Sequence, residues 1–367
     1  MRTKVLVVDD SVFMRVVLTR LLVAEPSLEV VGTAKDGKEA IEKITALKPD
    51  VVTLDVEMPV MNGLHALKQI MAVHPTPVIM LSALTADGAQ TTLECLKYGA
   101  FDFMAKPEGS WGFQEMSQEL IAKVKAAAAT PISKLKVSPE TCRSDDGKRL
   151  TDATATRCSR RPTANSSENP STCAVKQIVA IGTSTGGPPA LDVVLSRLPG
   201  DLPCPLVIVQ HMPPPFTQSL AQRLNSRSEV KVVEAFDGLL LQNGVAYIAP
   251  AGYHMEVVSC NGNYRICLNQ GDKRNQHRPS VDVLFESVAK MGGVERHFVL
   301  MTGMGHDGAQ GMRLAKDLGA RTTMVQSPES CVVSGMPKAA LELDCVTDIV
   351  ALTDISERLA QVIYSLI

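Results

Sequence analysis

Several things that would place a 367-residue chain quickly are scarce in this one. Aromatic residues are only 4% of the sequence, with a single tryptophan, and the formal net charge is -2 with 21% charged residues. No global basic excess draws such a chain to nucleic acid, so a DNA-binding reading needs a local basic surface. The nine cysteines are scattered, odd in number and free of any CxxC pair, which argues against a zinc site and against a disulfide framework. Reduced thiols in a cytosol are the plainer account. No segment offers about 18 uninterrupted apolar residues, and the opening "MRTKVLVVDDSVF" reaches two aspartates too soon for a signal peptide. Neither secretion nor membrane insertion is expected, and a cytoplasmic location follows.

What is present is α/β alternation, twice. From residue 4, short β-branched runs ("KVLVV", "EVVGTA", "DVVTL", "PVIMLSA", "FDFMA") alternate with amphipathic stretches, the pattern of a parallel sheet covered by helices. A last helix over about 113–129 ends in an alanine run. Residues 131–173 are then rich in Ser, Thr, Pro, Lys and Arg without helical or strand period, and read as a linker. Apolar strands resume at "KQIVAIG", again mainly α/β, with short strands near 245–268 that look like an antiparallel insertion. The length suits two domains. The expected division is 1–125, a flexible linker 126–173, and a doubly wound, mainly parallel second domain 174–367.

In a parallel α/β sheet, functional groups collect beyond the carboxyl ends of the strands. In the first half these ends carry Asp9 and Asp10, Asp55, Ser82, and Lys106 followed by Pro107. One aspartate after a strand can simply cap a helix. Three carboxylates converging would repel one another, and a hard cation such as Mg²⁺ relieves that through oxygen ligands. "VLVVDDS", "VTLDVEMPVMNGL", "LSA" and "FMAKP" resemble, in order and spacing, a flavodoxin-like response-regulator receiver domain. That resemblance implies Asp55 as phosphoacceptor, Asp9 and Asp10 as Mg²⁺ ligands with the backbone carbonyl of Glu57, Ser82 and Lys106 as phosphoryl contacts, and Phe103 at the aromatic switch position.

In the second half, "IVAIGTSTGGPPALDVV" sets Thr183, Ser184 and Thr185 between a strand and a helix start. A sharp strand-to-helix turn there exposes the Ser184 hydroxyl beside a helix N-terminus, which suits a phosphate or an oxyanion equally. No lysine follows, so the GxxxxGK[ST] phosphate loop is not met. A nucleophile needs a base and an orienting acid: "LVIVQHMPPPFT" puts His211 past one strand, and "HFVLMTGMGHDGAQGM" puts Asp307 in a glycine-rich loop after another. His254, His277 and His306 compete for the base, Asp282 for the acid.

The segments "AIGTSTGGPPAL", "VIVQHMPPPFT", "AYIAPAGYHMEV", "HRPSVDVLFESVA", "LMTGMGHDGAQGM" and "SCVVSGMPKAA" resemble the catalytic domain of chemotaxis protein-glutamate methylesterases of the CheB type. The resemblance implies Ser184 as nucleophile, His211 as general base and acid, Asp307 as the residue that fixes the imidazole, and the backbone N–H of Met304 with Thr185 nearby at the oxyanion. His306 stands where the family often has asparagine. It further implies phosphorylation-regulated hydrolysis of glutamate γ-methyl esters on chemoreceptors with related glutamine deamidation, a chemotaxis histidine kinase as partner, a monomer, and no cofactor for the ester chemistry. The alternative is a response regulator with a non-enzymatic or DNA-binding output. From residue 174 onward 16 Lys and Arg face 18 Asp and Glu, so the basic footprint of DNA binding is missing.

Overall fold

The computed structural model describes residues 2–106, 113–135, 175–260 and 262–366. Pro107 and most of the linker, 136–173, lie outside the described residues. Within them the chain forms two parallel sheets. The first has strands β1 (Thr3–Val8), β2 (Leu28–Ala34), β3 (Val51–Asp55), β4 (Val78–Ser82) and β5 (Asp102–Ala105), in the order β2-β1-β3-β4-β5. Helices α1 (Val12–Val23), α2 (Gly37–Leu47), α3 (Gly63–Val73), α4 (Ala86–Lys97) and α5 (Phe113–Ala129) alternate with them. This is the flavodoxin-like order, and β1 and β3 flank its switch point.

Each of the first four helices starts where the sequence supplies a local cap. Ser11, Asp36, Asn62 and Thr85 accept from the backbone N–H three residues on. Ser11 is the cap of α1, so Asp10 is not spent on that task. Helix α5 and the 3₁₀ turn Ile132–Lys134 run past residue 125, and Ala127 and Leu135 are buried against this sheet's core. Residues 126–135 therefore pack with the first domain, because the alanine run and its flanking aliphatics present a continuous apolar stripe.

The second sheet comprises β6 (Gln177–Thr183), β7 (Leu206–Gln210), β8 (Lys231–Glu234), β9 (Val245–Ile248), β12 (Glu295–Leu300), β13 (Thr322–Gln326) and β14 (Asp348–Val350), ordered β14-β13-β12-β6-β7-β9-β8. Between β9 and β12 comes an antiparallel hairpin, β10 (His254–Cys260) and β11 (Asn263–Asn269). The antiparallel insertion is thus narrower than 245–268: Val245–Ile248 is buried throughout and pairs in parallel with β7 and β8. A short run buried on both faces belongs inside a parallel sheet. Helices α6 (Gly187–Leu195), α7 (Phe216–Arg227), α8 (Val281–Ala289), α9 (Ala309–Asp317), α10 (Gly335–Glu342) and α11 (Ile355–Tyr364) cover it.

The chain leaves β6 toward β7 and later returns to β12 on the other side, so the switch point of this sheet lies beside the end of β6. That is where Ser184 stands. The domains touch there. Phe103 of β5 packs against Phe216 of α7, ring centroids 4.6 Å apart, and one buried apolar cluster runs through both domains, including Leu93 and Leu96 on one side and Leu191 and Leu220 on the other.

Candidate active site

Beyond the ends of β1 and β3, oxygens of Asp9, Asp10 and Asp55 lie within 4.8 Å of one another. Lys106, just past β5, ion-pairs with Asp9 at 2.8 Å and with Asp55 at 2.7 Å. One ammonium does not balance the cluster. Burial pushes the Asp55 carboxyl up to about 6; Lys106 opposes the rise and the charge on Asp9 adds to it. A crowded set of hard oxygen donors with one carboxylate held unfavourably is what Mg²⁺ relieves, so the residues fit the ion. The Glu57 N–H donates to Asp55 Oδ1 at 3.3 Å, which keeps Glu57 beside the cluster. Ser82 is fully buried at the end of β4 and its hydroxyl donates to the carbonyl of Ala83, 3.2 Å. Phe103, the switch candidate, is buried between the domains.

The three hydroxyls after β6 have different surroundings, and two of them are hydrogen-bonded. Thr183 Oγ1 donates to the Thr302 carbonyl, 3.0 Å, and is structural. Thr185 Oγ1 donates to Asp102 Oδ2 of the first domain, 2.7 Å. Ser184 and Thr185 both line a cleft, and the Thr185 hydroxyl is already taken by Asp102. The Ser184 turn is set by Gly186, whose φ of 77° suits glycine, and by hydrogen bonds from the Ser184 N–H to Thr302 O and from the Gly187 N–H to Ser184 O. Gly303 lies so close that a Cβ there would stand 2.9 Å from the Ser184 Cβ. Thr302 also takes the Gln326 side chain on its N–H and faces the Thr185 carbonyl with its hydroxyl. Reading the sequence missed Thr302, because a threonine at a strand end has no local mark.

His211 follows β7, and its Nε2 meets Asp307 Oδ2 at 2.8 Å. Its Nδ1 is buried without a hydrogen-bond partner. Asp307 is held from many sides: Ser280 Oγ at 2.8 Å, Asn275 Nδ2 at 2.8 Å, and the backbone N–H groups of Val281 and Asp282 at 2.7 and 3.1 Å. These last two open helix α8, so Asp307 caps a helix distant in sequence and meets its positive end. Burial alone would raise this carboxyl. His211, Asn275 and the Val281 N–H outweigh burial and hold it well below the usual carboxylate range.

The competitors fall into other roles. Asp282 accepts the Gly311 N–H of α9 at 2.7 Å and so returns the cap, while burial raises its carboxyl. His254 is buried, with Nε2 on the Asp272 carbonyl and Nδ1 accepting the Ser280 N–H. His306 is exposed at the cleft's rim. His277 stacks on His211. The loop Gly303–Gly308 has GxGxxG spacing, and it brings into the site the buried carboxylate of Asp307, an acceptor rather than a phosphate donor.

Ser184, Thr185, His211, Met304 and Asp307 line one cleft of about 990 Å³, whose other wall is the first domain: Asp102, Phe103, Lys106, Met116, Glu119 and Lys123. Lys123 ion-pairs with Asp102 at 3.1 Å and Glu119 at 2.9 Å, and donates to the Phe103 carbonyl. Burial would lower this ammonium, and the two carboxylates raise it instead. The same Asp102 carboxylate therefore binds Lys123 and the hydroxyl next to Ser184.

Fold and site together define a receiver domain seated on a second α/β domain that carries a serine, histidine and aspartate at its switch point. The CheB methylesterase family matches residues 179–359, and the response regulator receiver domain family matches residues 5–118. A protein-glutamate methylesterase/protein-glutamine glutaminase of Geobacillus kaustophilus is 46% identical over 98% of both chains. Its namesake in Bacillus subtilis is 44% identical over 96% of both. The crystal structure of the Thermotoga maritima CheB methylesterase catalytic domain, 41% identical, covers 52% of this chain and 99% of its own, with a TM-score of 0.50. This chain belongs to the CheB methylesterase family, in the form that carries a receiver domain.

Proposed function

We propose that Ser184, His211 and Asp307 hydrolyse glutamate γ-methyl esters on the cytoplasmic domains of chemoreceptors, and deamidate glutamine by the same route. The observation that carries this reading is the bond from His211 to an aspartate that stays ionised. Asp307 accepts the Nε2 proton, which fixes the tautomer and leaves Nδ1, buried and without another hydrogen-bond partner, as the free base. Nδ1 takes the proton of Ser184 Oγ as the oxygen attacks the ester carbonyl, and returns it to the departing methanol; water then releases the glutamate by the same steps. The N–H groups of Ser184 and Gly303 are committed to Thr302 and Val333, so the N–H groups of Met304 and Thr185 serve the oxyanion. The ester step needs no cofactor.

Asp55 is the phosphoacceptor, served by a chemotaxis histidine kinase. Asp9, Asp10, Asp55 and the Glu57 carbonyl would hold Mg²⁺, which offsets charge on the incoming phosphoryl group, while Ser82 and Lys106 contact its oxygens. Unphosphorylated, the receiver forms one wall of the cleft and restrains the Ser184 turn through Thr185; phosphorylation loosens that contact through β5, which joins Lys106 to Phe103 and Asp102. The protein acts in the cytoplasm as a monomer, with the receiver lining its own chain's site. The domains divide near residues 135 and 174.

The test is methanol release from methylated receptor membranes by the full chain, with and without acetyl phosphate and Mg²⁺. Ser184→Ala and His211→Ala should each lose several orders of magnitude in turnover, and together little more. Retained turnover in Ser184→Ala would overturn the assignment.

A further inference from the structure

One tight turn reaches both members of the proton-transfer pair. Arg274 and His277 exchange both backbone hydrogen bonds, at 3.1 and 2.9 Å, and between them Asn275 and Gln276 have φ of 51° and 68°. Both central residues of such a two-residue turn take positive φ; Asn275 suits that region, whereas Gln276 is held there by its surroundings. Here the surroundings are explicit. Asn275 Nδ2 donates to Asp307 Oδ1 and to Asp282 Oδ2, each at 2.8 Å. The Arg274 guanidinium pairs with Glu286 of α8 at 2.5 Å, and Arg278 binds the carbonyls of Gln270 and Gly271. At the far end of the turn the His277 ring lies flat on His211, centroids 3.7 Å apart and planes 12° from parallel.

The His211 imidazole has a single hydrogen bond, at Nε2, and can rock about it. A second restraint, across the plane of the ring, limits that motion and so the direction from which Nδ1 can take a proton. We infer that the turn Arg274–His277 is a positioning device for the triad, with His277 fixing the plane of the His211 ring by stacking and Asn275 fixing Asp307. His277 suits the task as a neutral ring: burial, followed by the neighbouring His211, pushes it down to about 4. The titratable and charged groups facing it are Asp307 and His211 on its own domain and Glu119 and Lys123 of receiver helix α5. A second cation at this distance would oppose the imidazolium formed during proton transfer; a neutral ring does not.

This inference rests on the triad assigned above, and the test separates the two. Full-length wild type, His277→Ala, His277→Phe and Ser184→Ala are assayed for methanol release with saturating acetyl phosphate and Mg²⁺, and melted by circular dichroism. His277→Ala should lose about 10- to 100-fold in kcat through misplacement of the base, with KM changed less than about twofold and an unchanged melting temperature. His277→Phe, which keeps the flat ring and has no titrating nitrogen, should return to within about threefold of wild type. Wild-type kcat in His277→Ala overturns the inference, and so does a loss of kcat that tracks a falling melting temperature. Equal damage in His277→Phe and His277→Ala also overturns it, because the nitrogens rather than the ring would then matter. Activity in Ser184→Ala overturns the triad itself, whatever the His277 variants do.

Discussion

Asp55 ends a strand of one parallel sheet and Asp307 lies in the loop that follows a strand of the other; both are buried, and their environments push them in opposite directions. Asp55 sits among carboxylates with one ammonium to share, and is held up to about 6. Asp307 sits among five donors and a helix start, and is held low. The difference matches two kinds of chemistry. A phosphoacceptor gains from an unsatisfied site that a cation and a phosphoryl group complete. An orienting acid gains from a site already complete, so that its charge never varies in the working range.

The strongest way to break the comparison is to neutralise each aspartate. Asp307→Asn should cost about 10³- to 10⁴-fold in kcat, since an amide no longer selects the tautomer with Nδ1 free. Asp55→Asn should leave unphosphorylated turnover within about threefold of wild type and abolish the response to acetyl phosphate. Methanol release measures both, and an Asp307→Asn enzyme with wild-type kcat would remove the acid from the mechanism.

Stability against pH sharpens the contrast. Asp55 titrates near 6 when folded and near 3.8 as an ordinary carboxyl. The folded state takes up the proton first, so without divalent cation this group makes the fold more stable as pH falls from about 6 to 4, by roughly 3 kcal/mol at most. His297 does the reverse. It is fully buried on β12, with Nε2 on Gln177 at 3.1 Å and Nδ1 near Thr322 at 3.3 Å, and burial, with Arg321 adding, pushes it down to about 4 from 6.5. The unfolded chain takes that proton first, so stability is lost as pH falls from 6.5 to 4, again by roughly 3 kcal/mol at most. Denaturant melts of Asp55→Asn and His297→Gln against wild type at several pH values should show differences of opposite slope, and added Mg²⁺ at pH 7 should flatten the Asp55 effect.

The smallest effect concerns the bond between the domains. Thr185→Val removes the hydroxyl that meets Asp102 and keeps the backbone N–H, so unphosphorylated turnover should rise about two- to tenfold while phosphorylated turnover changes little. No rise would mean that the receiver restrains the site by coverage alone.

Much of this was legible in the residues. Alternating apolar runs marked the strands, and the polar residues at their ends pointed to Asp9, Asp10, Asp55 and Ser184, because a parallel sheet always offers the same edge to chemistry; His211 and Asp307 had rivals there, and only the family resemblance chose between them. The first four helices announced their starts through caps three residues away. Helices α8 and α9 did not, because Asp307 caps the first and Asp282 the second across 25 or more residues. The same distance hid the partners of the site: Asn275 on Asp307, the stacked ring of His277, Thr302 under the serine turn, and Asp102 on Thr185. A pattern in sequence reports periodicity and local hydrogen bonding over a few residues. Which nitrogen of His211 faces the acid, and which hydroxyl of the Thr183–Thr185 run is left for the cleft, depends on groups that only the packed structure brings within 3 Å.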